Sequence, residues 1–279
     1  MKIAVRIDDE ADAFYHVLAH VDLGRDAANL LRPDLAARSA LPGPFAAEFR
    51  ARIRALQADH EQAPWPAALQ AVPLSPEARA TAVRAMGRAR VEAVEEAALV
   101  GWRAHLAPAR VGRMDALRLR AAACRDDVAE VLEMAAPRLF PATPPPILLV
   151  PCESLQDAAR AVSVGRTFVV ACEAGEASPR VRTVLQVLHE VCHAATDPLL
   201  PRRTAADPYS TRPGDPGHDA HTARERAALA AGWLALEGSP WRPRYAAWCA
   251  RIGGGDPSRT ARVLDEIARE YDMSPQPHS

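Results

Sequence analysis

Residues 189 to 193 read His-Glu-Val-Cys-His, two imidazoles four positions apart with a carboxylate directly after the first. On an α-helix, residues four apart stand one turn above each other on the same face, so His189 and His193 can aim their nitrogens at one cation. Glu190 lies about 100° round the helix from His189, where it flanks such a cation without having to ligate it. That is the place for a general base. Two histidines and a third protein ligand leave one position of a tetrahedral zinc ion for water, whose pKa the ion lowers to about 7. Val184, Leu185, Val187, Leu188 and Val191 make this helix apolar on nearly every side. Two histidines and a glutamate buried there are costly without a partner, and one zinc ion is the partner expected. Cys192 points about 100° away from His193 and reads as packing rather than a ligand.

The rest of the chain has to hold that helix in place. Its 279 residues suffice for one large domain or two modest ones. Lys and Arg total 34 against 35 Asp and Glu, a net charge of −1, so no field favours polyanions or anionic membranes, and no nucleic-acid partner is expected. Hydrophobic residues reach 49% with only 5% aromatic, and Ala, Leu and Val dominate, which favours a predominantly helical protein. The start, "MKIAVRIDDEADAFYHVL", has no basic patch followed by an apolar run, so neither secretory signal nor membrane anchor is expected and a cytoplasmic location is the default. Five scattered cysteines suggest buried thiols and no disulfide framework.

"KIAVRI" reads as a short strand, followed by a helix over 11–31. A second helix begins near Pro44. Ser75-Pro76-Glu77 starts a third, expected to be long because no proline follows until Pro108. A further helix over 114–139 is expected to pack on the one before it as a solvated hairpin. The proline-rich 140–146 cannot continue a helix and is the best domain boundary, dividing a helical region, 1–140, from a catalytic domain, 145–279. There "ILLVP" and "RTFVVAC" read as strands, and Ser178-Pro179 as the start of the motif helix. A long loop after Asp197-Pro198 looks like a lid or binding loop. Helices from His218 to Glu237, Trp241 to Arg251 and Pro257 to Tyr271 complete the α+β reading, and "GGG" at 253–255 is a turn rather than a phosphate loop.

The five residues 189–193 match in full the HExxH signature of the zincin superfamily of metallopeptidases, which the chain thereby resembles. The resemblance implies a zincin-like catalytic domain with a small sheet and an active-site helix, and it implies a sheet edge at "RTFVVAC" that binds extended substrates. The metzincin branch carries a glycine and a third histidine where this chain has Thr196 and Leu199. What remains is the gluzincin style, in which a downstream helix supplies a glutamate. His218, His221, Glu225, Leu229, Gly232 and Leu236 share one helical stripe, and a carboxylate on that apolar stripe is costly unless it meets a metal or a cation. Glu225 is therefore the expected third ligand, with His221 or a residue of the 207–219 loop as alternatives. Gly232 would let this helix pack closely on the motif helix. Some gluzincins carry an orienting aspartate four residues after the ligand glutamate. Leu229 occupies that place here.

If Glu225 ligates, His221, one turn earlier, can donate to the oxyanion of a tetrahedral intermediate, and Tyr209 and His218 are further substrate-binding donors. The function expected is a zinc-dependent hydrolase, a peptidase acting on a peptide or protein. Two alternatives stand beside it: a helical regulatory protein with a structural zinc, and a zinc hydrolase of a non-peptide amide or ester. His16 and His20 repeat the four-residue spacing without a glutamate after the first, and read as packed or surface histidines, with an accessory metal contact the lesser reading. Oligomeric state is not legible.

Overall fold

The computed structural model describes residues 2–23, 43–140, 143–155, 159–174, 180–200 and 217–271. The protein is mostly helical with one small mixed sheet, as composition leads one to expect. The strands are β1 (Ile3–Val5), β2 (Ile147–Cys152), β3 (Ala159–Val164) and β4 (Thr167–Glu173). The α-helices longer than one turn are α1 (Asp9–His20), α2 (Pro44–Gln62), α3 (Pro76–Met86), α4 (Arg88–Gly101), α5 (Met114–Leu139), α6 (Arg180–Thr196), α7 (His218–Ala235), α8 (Arg242–Gly253) and α9 (Pro257–Glu270). None of the described helices is long and apolar enough to cross a membrane.

The sheet order is β1-β2-β4-β3, with β1, β2 and β4 parallel and β3 antiparallel to β4. Because side chains alternate along a strand, β2 and β4 each feed two cores. Val150 and Cys152 of β2 and Val169 and Ala171 of β4 face a core built with α1 to α4. Ile147 and Leu149, with Phe168, Val170 and Cys172, face the other, built with α5 to α8 and Leu264 of α9. Burial on both faces explains why "ILLV" and "FVVAC" read as continuous apolar runs rather than alternating ones.

Several expectations are corrected. The sheet edge expected at "RTFVVAC" is not there: β4 pairs on both sides, and the terminal strands are β1 and β3, the "ARAVSV" of β3 lacking a strong apolar signal. The long third helix is broken at Gly87, whose φ of 90° lies outside the helical region and which ends α3 just before α4 begins. The hairpin between α5 and its predecessor does not form. Helix α5 packs on α6, α7 and β1 instead, because its buried Val128, Val131, Leu132 and Ala135 face the second core. The first helix ends at His20, where Val21 is extended, while 24–31 of the expected span lie outside the described residues.

Caps agree closely with sequence chemistry. The Ser75 hydroxyl accepts from the amides of Glu77 and Ala78, and Asp256 accepts from Ser258 and Arg259, each satisfying orphan donors at a helix start. A buried ionic knot fixes α1. Asp12, fully buried, accepts from Arg110 at 2.5 Å and from the backbone amides of Glu153 and Ser154 at the end of β2.

Candidate metal centre

Helix α6 is buried almost continuously from Thr183 to Cys192, packed between β4, β3, α5 and α7. Its register leaves one face toward α7, and there the imidazoles of His189 and His193 emerge with ring centroids 4.8 Å apart. Glu225 reaches them from the second turn of α7. Its Oε2 lies 3.0 Å from His189 Nε2 and its Oε1 3.3 Å from His193 Nε2. One nitrogen from each histidine and one carboxylate oxygen lie within 4.8 Å of one another. Tetrahedral zinc with bonds of about 2.0–2.1 Å separates its ligands by about 3.3 Å. The spacing and the donor set, two imidazoles and a carboxylate, therefore fit one zinc ion.

Without metal the same geometry is a proton trap. His193 Nε2 faces Glu225 and its Nδ1 lies 3.2 Å from Asp197 Oδ1. An imidazole between two carboxylates satisfies both only when both nitrogens carry protons. Burial by itself lowers the pKa of His193, but the bonds to Asp197 and Glu225 and the charges of Glu225 and Glu190 outweigh it and push the value up to about 10. Burial raises Glu225, yet the hydrogen bonds and charges of His189 and His193 hold its carboxyl far below the usual carboxylate range.

Glu190 follows His189 on the helix, partly exposed, and its charge reaches both His193 and the phenol of Tyr15 on α1. That leaves it beside the cluster rather than inside it. His221 Nε2 lies 3.9 Å from Glu225 Oε1, flanking the centre. Burial lowers the His221 pKa, and His193, His218 and Arg224 add to this against the opposing pull of Glu225, so the ring is neutral at neutral pH. His218 opens α7 with its charge in range of His221. Tyr209 and the loop expected to act as a lid, 201–216, lie outside the described residues, as do Ser178 and Pro179.

The structure thus gathers His189, His193, Glu225 and His221 into one centre with Glu190 at its side. It also adds two residues that sequence reasoning missed. Asp197, four residues after His193 and in a short 3-10 turn that extends α6, supplies the carboxylate that orients His193. The spacing of four was the available signal. Trp248 of α8 packs its ring 5.6 Å from that of His189, and nothing in the local sequence pointed to it. His189 Nδ1 is buried without a hydrogen-bond partner among the described residues, so the orienting acceptor serves the second histidine and not the first.

Gly232 does its packing elsewhere than expected. A Cβ there would meet the Tyr245 hydroxyl at 2.4 Å, so the glycine admits α8 rather than α6. Tyr245 is fully buried and donates to the Leu229 carbonyl at 3.2 Å, which braces the helix that carries Glu225. Cys192 is fully buried, and burial pushes its thiol up, in keeping with packing. All five cysteines are free thiols.

Comparison with known proteins gives no match, whether to a family model, a curated protein or a solved structure. The functional reading therefore stands on the centre's own geometry and on the spacing of residues 189–193.

Proposed function

We propose that this protein is a zinc-dependent hydrolase of the zincin type, and within that class a metallopeptidase. One observation carries the reading: the Glu225 carboxylate sets one oxygen against the Nε2 of His189 and the other against the Nε2 of His193. Two histidines alone are common on helices. A third donor arriving from a separate helix, at ligand spacing, turns a sequence pattern into a cluster.

His189, His193 and Glu225 would hold the ion, and Asp197 would keep the proton on His193 Nδ1, leaving Nε2 as the ligand. When bound, zinc supplies Lewis acidity, lowering the pKa of a coordinated water and polarising a substrate carbonyl. Glu190 accepts the proton at its carboxylate and returns it to the leaving nitrogen, a role suited to a carboxylate that flanks the ligands. His221, held neutral, presents an N–H to the developing oxyanion. The choice of a peptide rests on the HExxH resemblance, and β3, a terminal strand of the sheet and in contact with α6, is compatible with an extended backbone binding nearby.

The test is a purified Glu190→Gln variant assayed beside the wild type on a mixed peptide library and on simple esters, with bound zinc measured in both. Zinc retained with peptide cleavage abolished supports the proposal. Full activity in the variant refutes Glu190 as base, and cleavage confined to esters refutes the peptidase assignment.

A further inference from the structure

A second cluster of metal-ligating side chains sits in the other core. His16 and His20 stand one turn apart on α1, with ring centroids 4.7 Å apart. His105 joins them from 85 residues beyond, its ring 5.1 Å from His16 and 6.2 Å from His20. His16 Nε2 and His105 Nδ1 are 2.9 Å apart, and one nitrogen from each of the three rings lies within 4.8 Å of the others. His16 is fully buried and His105 3% exposed, while His20 is partly open.

The surroundings hold these rings in place. His105 is carried by a π-helical turn, Trp102–Leu106, that follows α4. Such wide turns cost helix geometry and concentrate at functional sites. Phe49 of α2 stacks on His16 at 5.2 Å and meets His20 and His105 edge-on at 5.2 and 4.9 Å. Gly101, just before the π turn, admits this packing: a Cβ there would lie 2.7 Å from the Phe49 ring and 3.1 Å from His16. Four elements converge on three imidazoles.

We infer that His16, His20 and His105 form a second metal site, binding one zinc ion or a similar late first-row divalent ion and tying α1 to the π turn. Three imidazole nitrogens are a donor set that such ions accept, with solvent on the open side at His20 as the fourth ligand. Ligands of a tetrahedral zinc ion stand about 3.3 Å apart, so the 2.9 Å between His16 and His105 has to open by only about 0.4 Å. The buried acid on the same helix goes elsewhere: Asp12 is committed to Arg110 and the amides of Glu153 and Ser154. The alternative is a hydrogen-bonded histidine pair with a third ring packed against it.

The test strips the full-length protein with chelator, dialyses it against zinc alone, and counts bound metal in the wild type, in His189→Ala/His193→Ala, and in that variant with His20→Ala added. The expected counts are two, one and none, with a first shell of imidazole nitrogens by X-ray absorption in the double variant. A double variant that binds no zinc, or whose zinc survives His20→Ala, overturns the inference. A wild type with a single zinc lost on His20→Ala but kept in the double variant supports it while sinking the α6 centre, so the two failures are distinguishable. Should a variant misfold, a zinc-edge anomalous map of wild-type crystals decides by density, or its absence, between the three rings.

Discussion

Replacing Asp197 with alanine tests whether the carboxylate beside His193 tunes the metal centre, and the structure sets both size and sign. Loss of a group that orients a metal-bound histidine costs about 10- to 100-fold in affinity. Here the bond is 3.2 Å, at the long end for N–H···O, the Asp197 side chain is 30% exposed, and Arg224 Nε lies 3.9 Å from its other oxygen. Those features favour the low end, about tenfold or about 1.4 kcal/mol. A second effect opposes the first. With His193 pushed up to about 10, zinc must displace a proton at pH 7, which weakens apparent binding by about a thousandfold, since each pH unit below the pKa costs tenfold. Removing Asp197 lowers that proton affinity and so reduces the competition. The variant should therefore bind zinc about tenfold more weakly near pH 10 and approach or overtake the wild type near pH 7. Competition against a chromophoric chelator across this range measures it, and the ratio of the two affinities cancels every proton effect the proteins share. A ratio that stays flat with pH and within about twofold of unity would refute the reasoning.

Glu190→Gln should cut turnover by about 10²- to 10⁴-fold with zinc content unchanged, read by steady-state kinetics and metal analysis. In the metal-free protein, His193 rises from the ordinary 6.5 to about 10, so its stabilising effect is complete below pH 6.5 and is lost as pH climbs through 10. Urea midpoints of chelator-treated protein should fall over that window, and His193→Gln should flatten the trend. Gly232→Ala forces a Cβ into the Tyr245 ring and should cost about 2–4 kcal/mol, combining overpacking with a disturbed buried hydroxyl. Chemical denaturation of the variant with unchanged slope checks it.

The sequence by itself determined the helical character, the capped helix start at Ser75, the strands at 147 and 167, and the histidine pair of α6. Each depends on neighbours within about a turn or a strand's width, so spacing and local chemistry suffice to read them. Glu225 was also legible, because a carboxylate on an apolar stripe needs a partner. Only the tertiary structure decided the rest. That α5 joins α6 and α7, that β4 lies inside the sheet and that Gly232 serves Tyr245 all follow from which faces meet, a matter of contacts far apart in sequence. His105 shows the reason most plainly. Its own neighbours give no hint of a ligand. It acquires that chemistry because a glycine and a π turn bring it 2.9 Å from a histidine 89 residues away.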